Sequence, residues 1–197
     1  MKLNLPRLTY QQIGNIADQF LTLNYPRLKL PIPIEQIAES KLNLKIYEEF
    51  NLKKDFEVES FLTSDLSTIF IDFDIYNKFE NRARCSIAHE IGHLILHGKI
   101  LSKLKISSTV KLGDFLNNVD EDEYSWLEYQ AYSFANQVLV PNKLLLTEIK
   151  RLVGYVPNQA PLESILPLSE DLLEIFQVSG SLMLKRLQKE GIVKSTS

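Results

Sequence analysis

Cysteine is almost missing from this chain, with Cys85 the only one among 197 residues. A lone cysteine excludes an intrachain disulfide and suits a reducing compartment, so the expected location is the cytoplasm. Long apolar runs are missing too: no stretch approaches the roughly 20 residues that a bilayer span requires. The N-terminus carries Lys2 and Arg7 without a sustained apolar segment, so neither a signal peptide nor a membrane anchor is expected. Positive charge is not in excess. A formal net charge of −3 and a pI near 5.7 offer no global attraction to nucleic acid, and direct nucleic-acid binding is not expected. Internal repeats and low-complexity segments are also lacking. Histidine is scarce, and all three, His89, His93 and His97, fall within one short stretch.

That stretch reads Ile87-Ala88-His89-Glu90-Ile91-Gly92-His93. The apolar residues Ile87, Ala88, Ile91, Leu94 and Ile95 recur with helical spacing, so the segment is expected to be a helix with one buried side. Gly98 is the expected stop. On a helix, residues four apart stand one above the other, about 6 Å apart, which lets His89 and His93 share one ion. Glu90 lies about 100° further round, beside the ligand face, where its carboxylate can reach a water at the ion instead of the ion itself. Two ligands beside a base suit hydrolysis, and zinc is the expected metal.

A catalytic zinc takes three protein ligands, so one more is needed. His97 and Cys85 would each draw three ligands from successive turns of one straight helix, with the outer Cα atoms about 12 Å apart. Bonds of about 2.0–2.3 Å do not easily close that span. The third donor is therefore expected to be a carboxylate from elsewhere. The segment Asp120 to Pro141 reads as a second helix, with an acidic start that suits the positive end of the dipole and with Pro141 closing it. Glu121 and Glu123 sit in its first turn, whereas Glu128 lies well inside. Glu128 is the expected third ligand.

Elsewhere, Thr9 and Gln12 form a capping box ahead of a first helix running to near Asn24, and Pro31 and Pro33 introduce a short second one. Strands are expected at 44–50, 61–63 and 68–73, the last either an edge able to accept an extended peptide or an interior strand. Lys99, Lys103, Lys105 and Lys111 read as a solvated loop between the two metal-bearing helices. A helix follows Pro141, then a loop punctuated by Gly154, Pro157, Pro161 and Pro167. Beyond it, 170–176 and 181–189 read as two short helices. Their geometry resembles a helix-turn-helix, but acidic neighbours offset Lys185, Arg186 and Lys189, and a docked helical pair is the preferred reading. The tail 194–197 is expected to fray. The class is α+β, with a main domain over 1–153 and a helical extension over 154–197 packed on it.

The segment Arg84 to His97, followed by Glu128-Tyr129-Gln130-Ala131-Tyr132-Ser133-Phe134-Ala135 and Val138-Leu139-Val140-Pro141, resembles the ImmA/IrrE metallo-endopeptidases. That family carries a pattern close to R-F-x-x-A-H-E-x-G-H-x-x-L-H, then E-x-x-A-[N/D]-x-F-A-x-x-L-L-x-P. Pro31 to Ala38, Leu44 to Ile46 and Ile69 to Asp72 extend the likeness upstream. The resemblance implies a zincin-like fold, zinc on His89, His93 and Glu128, and Glu90 as catalytic acid/base. It also implies a helix-turn-helix transcriptional repressor as the protein substrate, whose cleavage relieves repression. The chain departs from the pattern at Tyr132, where Asn or Asp is usual. A polar group that steadies a ligating histidine is thereby replaced by a phenol, with Asp72 or Asp74 as substitutes. That departure supports an alternative, a non-cleaving zincin-like partner of a repressor or antitoxin. Cys85 stands where Phe is frequent and reads as a small apolar residue. For the oxyanion, Tyr124, Tyr129, Tyr132 and Tyr155 are unranked.

Overall fold

In the computed structural model, which describes residues 1–194, the capping signals mark real helix starts. The Thr9 hydroxyl accepts from the Gln12 N–H, and the Gln12 side chain accepts from the Thr9 N–H at 2.8 Å, opening α1 (Tyr10–Asn24). Helix α2 (Ile34–Ser40) follows the two prolines. Strand β1 (Lys45–Glu49), helix α3 (Leu52–Phe56), strands β2 (Ser60–Leu62) and β3 (Thr68–Asp72) and helix α4 (Phe73–Lys78) come next. β3 stops one residue short of the expected Phe73 because Asp72 caps α4. One of its carboxylate oxygens accepts from the Asp74 and Ile75 N–H groups at 3.0 and 3.2 Å, and the other from Lys53 N–H at 2.9 Å.

The remaining elements are helical: α5 (Glu80–Leu101), α6 (Thr109–Asn118), α7 (Glu121–Leu139), α8 (Asn142–Val153), a 3-10 turn (Leu162–Ile165), α9 (Leu166–Phe176) and α10 (Gly180–Lys189). The architecture is α+β, mostly helical around one small sheet. None of the helices among the described residues is long and apolar enough to cross a membrane. Residues 195–197, most of the tail expected to fray, lie outside the described residues.

Three expectations are corrected. Gly98 does not end its helix, because Leu101 is buried and anchors a further turn, and Ser102 is the cap. The lysine-bearing loop is not all loop. Ser108 caps α6, which carries exposed Lys111 on its first turn while Leu112 and Phe115 are buried. Pro167 does not belong to a loop but sits in the first turn of α9, where its missing N–H leaves no bond unmade.

The sheet has order β1-β3-β2, with β1 parallel and β2 antiparallel to β3. β3 is therefore central, and the open edge that could have been β3 is β2. Ile69 and Ile71 of β3 are fully buried against a core shared with Ile13, Ile87, Ile91, Phe134 and Val138. That core also takes in Leu172, Phe176, Met183 and Leu187 of the last two helices. Two arginines tie these helices down. Arg84 donates to Gln177 O at 3.0 Å and to Ile32 O at 2.8 Å. Arg186 is 1% exposed and donates to Val140 O and to the Tyr10 hydroxyl at 2.9 and 2.7 Å, and it pairs with Glu190. A guanidinium so committed is not offered to phosphate.

The fold's central contact is α5 against α7, and Gly92 sets its closeness. A Cβ at Gly92 would stand 2.9 Å from Ala131 O and 3.1 Å from Ala131 Cα, both backbone atoms. Gly92→Ala must therefore push α7 away, and it is expected to destabilise the fold by about 1–3 kcal/mol, read from urea denaturation. A variant as stable as the parent would show that the two helices tolerate a wider separation.

Candidate metal centre

The close crossing of α5 and α7 brings two helix faces to one point. His89 and His93 project from adjacent turns of α5, and Glu128 reaches them from α7. Their Nε2 atoms are 2.9 Å apart, and the Glu128 carboxylate places Oε2 3.2 Å from His89 Nε2 and Oε1 3.3 Å from His93 Nε2. Glu121 and Glu123 are spent elsewhere, as sequence position suggested. Glu121 is exposed in the first turn of α7, and Glu123 accepts from Leu5 N–H at 3.2 Å.

These separations test whether an ion fits. Bonds of about 2.0–2.1 Å in a tetrahedron set neighbouring donor atoms about 3.3 Å apart. The two imidazole nitrogens, 2.9 Å apart, are a few tenths of an ångström inside that spacing, and each has one Glu128 oxygen at 3.2 or 3.3 Å. One donor atom from each of the three residues lies within 4.8 Å of the others, so the three side chains can close on a single ion. The set of two imidazoles and one carboxylate is also one that catalytic zinc favours. Electrostatics agree. Burial works to raise the Glu128 pKa, but His89 and His93 outweigh it and hold the carboxyl well below the usual range, hence ionised. Burial works to lower the His89 pKa, yet Glu128 prevails and raises it.

Behind the donors, the two histidines are supported differently. His93 Nδ1 faces His97 Nδ1 at 3.2 Å, so His97 stands on the far side of His93 from the cluster. Burial first, and His93 second, pushes the His97 pKa down to about 3, which keeps its ring neutral. His89 Nδ1 is buried and has no hydrogen-bond partner among the described residues. In its place the Tyr132 ring packs on the His89 ring, centroids 4.1 Å apart. Neither acid named as a substitute reaches it. Asp72 is consumed by the caps of α3 and α4, and Asp74 pairs with Lys78 at 2.7 Å.

Glu90 is 2% exposed and accepts from the Ser60 hydroxyl of β2 at 2.6 Å. It lines the same cleft as His89, His93 and Glu128, a cavity of about 320 Å³. Strand β2 contributes Ser60, Phe61 and Leu62 to its lining, and Leu112, Phe115 and Leu127 add apolar surface. Cys85 also lines the cleft, half-buried, and burial raises its thiol pKa. Of the four tyrosines left unranked, Tyr124 and Tyr132 line this cavity, whereas Tyr155 is 64% exposed and Tyr129 packs on Trp126. Partial burial, and after it the Glu128 charge, pushes the Tyr132 hydroxyl up to about 12, and Tyr124 moves the same way. Both remain donors at neutral pH. At the rim, Glu59 accepts from Lys53 at 2.8 Å and from Arg82, and though burial opposes it these bonds lower its pKa.

Two residues of this centre escape sequence reasoning. Ser60 lies 30 residues before Glu90 and only the sheet brings them together. Gln130, fully buried on α7, carries two amide atoms without a partner among the described residues, and its spacing gives no hint, since residues two apart on a helix do not share a face.

Among solved structures, a Mycobacterium tuberculosis transcriptional regulator superposes with a TM-score of 0.56 at 16% identity, over 94% of this chain and 48% of that one. The fold is thus shared, and this chain spans about half the length of that relative. Among curated proteins none matches. Residues 75–188, more than half of the chain and including all of α5 and α7, match the IrrE N-terminal-like domain of peptidase family M78, and the chain belongs to that family.

Proposed function

We propose that this chain is a zinc-dependent endopeptidase of zincin-like fold that hydrolyses a peptide bond in a cytoplasmic protein. The proposed substrate is a helix-turn-helix transcriptional repressor, whose cleavage relieves repression. The observation that carries the reading is the placement of Glu90 beside a three-donor cluster, in the same cleft yet outside the cluster. A purely structural zinc site closes with a fourth protein ligand and has no use for a neighbouring base.

His89, His93 and Glu128 would hold the zinc, which when bound supplies a Lewis acid and an acidified water. Glu90 takes the proton of the attacking water and returns it to the leaving amine. Ser60 fixes the carboxylate for that exchange by donating to Oε1, which leaves Oε2 for the water. Tyr124 and Tyr132 offer O–H donors from the cleft wall for the oxyanion. The free edge of β2 runs along the cleft and suits an extended peptide added as a further strand. The apolar part of the lining, Leu112, Phe115 and Leu127, suits an apolar side chain of the substrate.

A hydrogen bond to a charged group is worth about 1.5–3 kcal/mol, so Ser60→Ala is expected to slow cleavage about tenfold or more at unchanged zinc affinity. Parallel loss of zinc would instead make Ser60 a support of the metal cluster.

A second reading, a non-cleaving partner of a repressor or antitoxin, is favoured by one observation, the unpartnered His89 Nδ1 under the Tyr132 ring. Incubation of the zinc-loaded protein with the regulator encoded beside it separates the two. Chelator-sensitive fragments support the peptidase. A stable complex without fragments supports the partner.

A further inference from the structure

We propose that His97, backed by Gln130, is a positioning residue that holds His93 with its proton on Nδ1 and its Nε2 lone pair turned toward His89 and Glu128. The inference rests on the metal reading above.

Two facing Nδ1 atoms at 3.2 Å allow two arrangements, because a neutral imidazole has one donor nitrogen and one acceptor. If His97 donates, His93 carries its proton on Nε2, and that proton points at the other two ligands and blocks an ion. If His93 donates, Nε2 is free to bind, and the proton of His97 moves to its own Nε2. The metal reading selects the second, and Gln130 can complete it. His97 Nε2 is buried without a partner within hydrogen-bonding reach among the described residues, and so are both amide atoms of Gln130. Gln130 is the polar side chain that bears on this ring, and its amide can complete either arrangement, Oε1 accepting from a His97 Nε2–H or the NH₂ group donating to a bare His97 Nε2. Only the second arrangement leaves the His93 Nε2 lone pair free for an ion, and in it the Gln130 oxygen is the acceptor that the His97 proton needs.

The chain runs from Gln130 through His97 to His93 and crosses back from α5 to α7, the helix that carries Glu128. His93 is then the one histidine ligand whose ring is fixed by a hydrogen bond, since His89 Nδ1 has none among the described residues and is held by the Tyr132 ring. Loss of His97 leaves neither histidine so oriented.

The test is zinc affinity by chelator competition, independent of cleavage. Removing a group that orients a ligating histidine typically weakens metal binding about 10–100-fold, the loss expected for His97→Leu. His97→Asn keeps an acceptor near the Nδ1 position and should stay within about threefold of the parent, with the Leu variant's melting temperature unchanged without metal. Equal affinity in His97→Leu and the parent, or an equal fall in the Leu and Asn variants, overturns the inference and leaves the metal reading intact. A parent that takes up no zinc removes both. Should the variants fail to fold, nitrogen-15 NMR of the zinc-loaded parent decides instead: His97 protonated on Nε2 is expected, and His97 protonated on Nδ1 overturns the proposal.

Discussion

Glu90→Gln protein loaded with zinc is expected to cleave substrate about 10²–10⁴-fold more slowly than the parent while holding the metal as tightly. The amide is nearly isosteric with the carboxylate and can still accept from the Ser60 hydroxyl, so the local packing survives. What is lost is the capacity to take up a proton. Because Glu90 stands outside the three-donor cluster, the candidate donor set His89, His93 and Glu128 is untouched. The measurement is a pair, a fragment-release rate and a zinc dissociation constant on the same preparation. Cleavage at the parental rate would remove Glu90 from the mechanism, and a fall in zinc affinity would move it into the ligand set.

The second large effect is at Glu128. Glu128→Ala is expected to weaken zinc binding by more than about 100-fold, beyond what the loss of an outer hydrogen-bonding partner produces, and to abolish cleavage at limiting zinc. Both carboxylate oxygens face the cluster, one toward each histidine, so no other oxygen of the side chain is spare. The variant also removes the charge that holds His89 above its ordinary pKa. Glu121 cannot replace it from the exposed first turn of α7, nor can Glu123 while it holds the Leu5 N–H. Undiminished zinc uptake would mean that the third donor lies elsewhere.

Much of this centre was legible because its signals are local. The HExxH spacing states which side chains share a helix face, and an acidic start with a terminal proline delimits the helix that carries Glu128. The capping box at Thr9 and Gln12 is likewise written in adjacent residues. What stayed hidden depends on packing between distant segments. Nothing near 67–73 says that β1 and β2 flank β3 on both sides. Gly98 carries the local mark of a stop, and only the burial of Leu101 overrides it. Helix α6 is short and buries only Leu112 and Phe115, and its Lys111 continues the charged series of Lys99, Lys103 and Lys105, so its periodicity is weak in the sequence. Ser60 has no sequence mark at all, since the antiparallel pairing of β2 with β3 is what aims its hydroxyl at Glu90. Tyr132 was legible as a departure, but that it lies over the His89 ring, and that His89 Nδ1 is left without a partner among the described residues, required coordinates.

The claim on which the rest depends is that His89, His93 and Glu128 hold one zinc ion. Elemental analysis after reconstitution and removal of free metal tests it most directly, run on the parent beside Glu90→Gln and Glu128→Ala. About one zinc per chain is expected in the first two and almost none in the third. A parent without zinc, or a Glu128→Ala protein that retains it in full, contradicts the account.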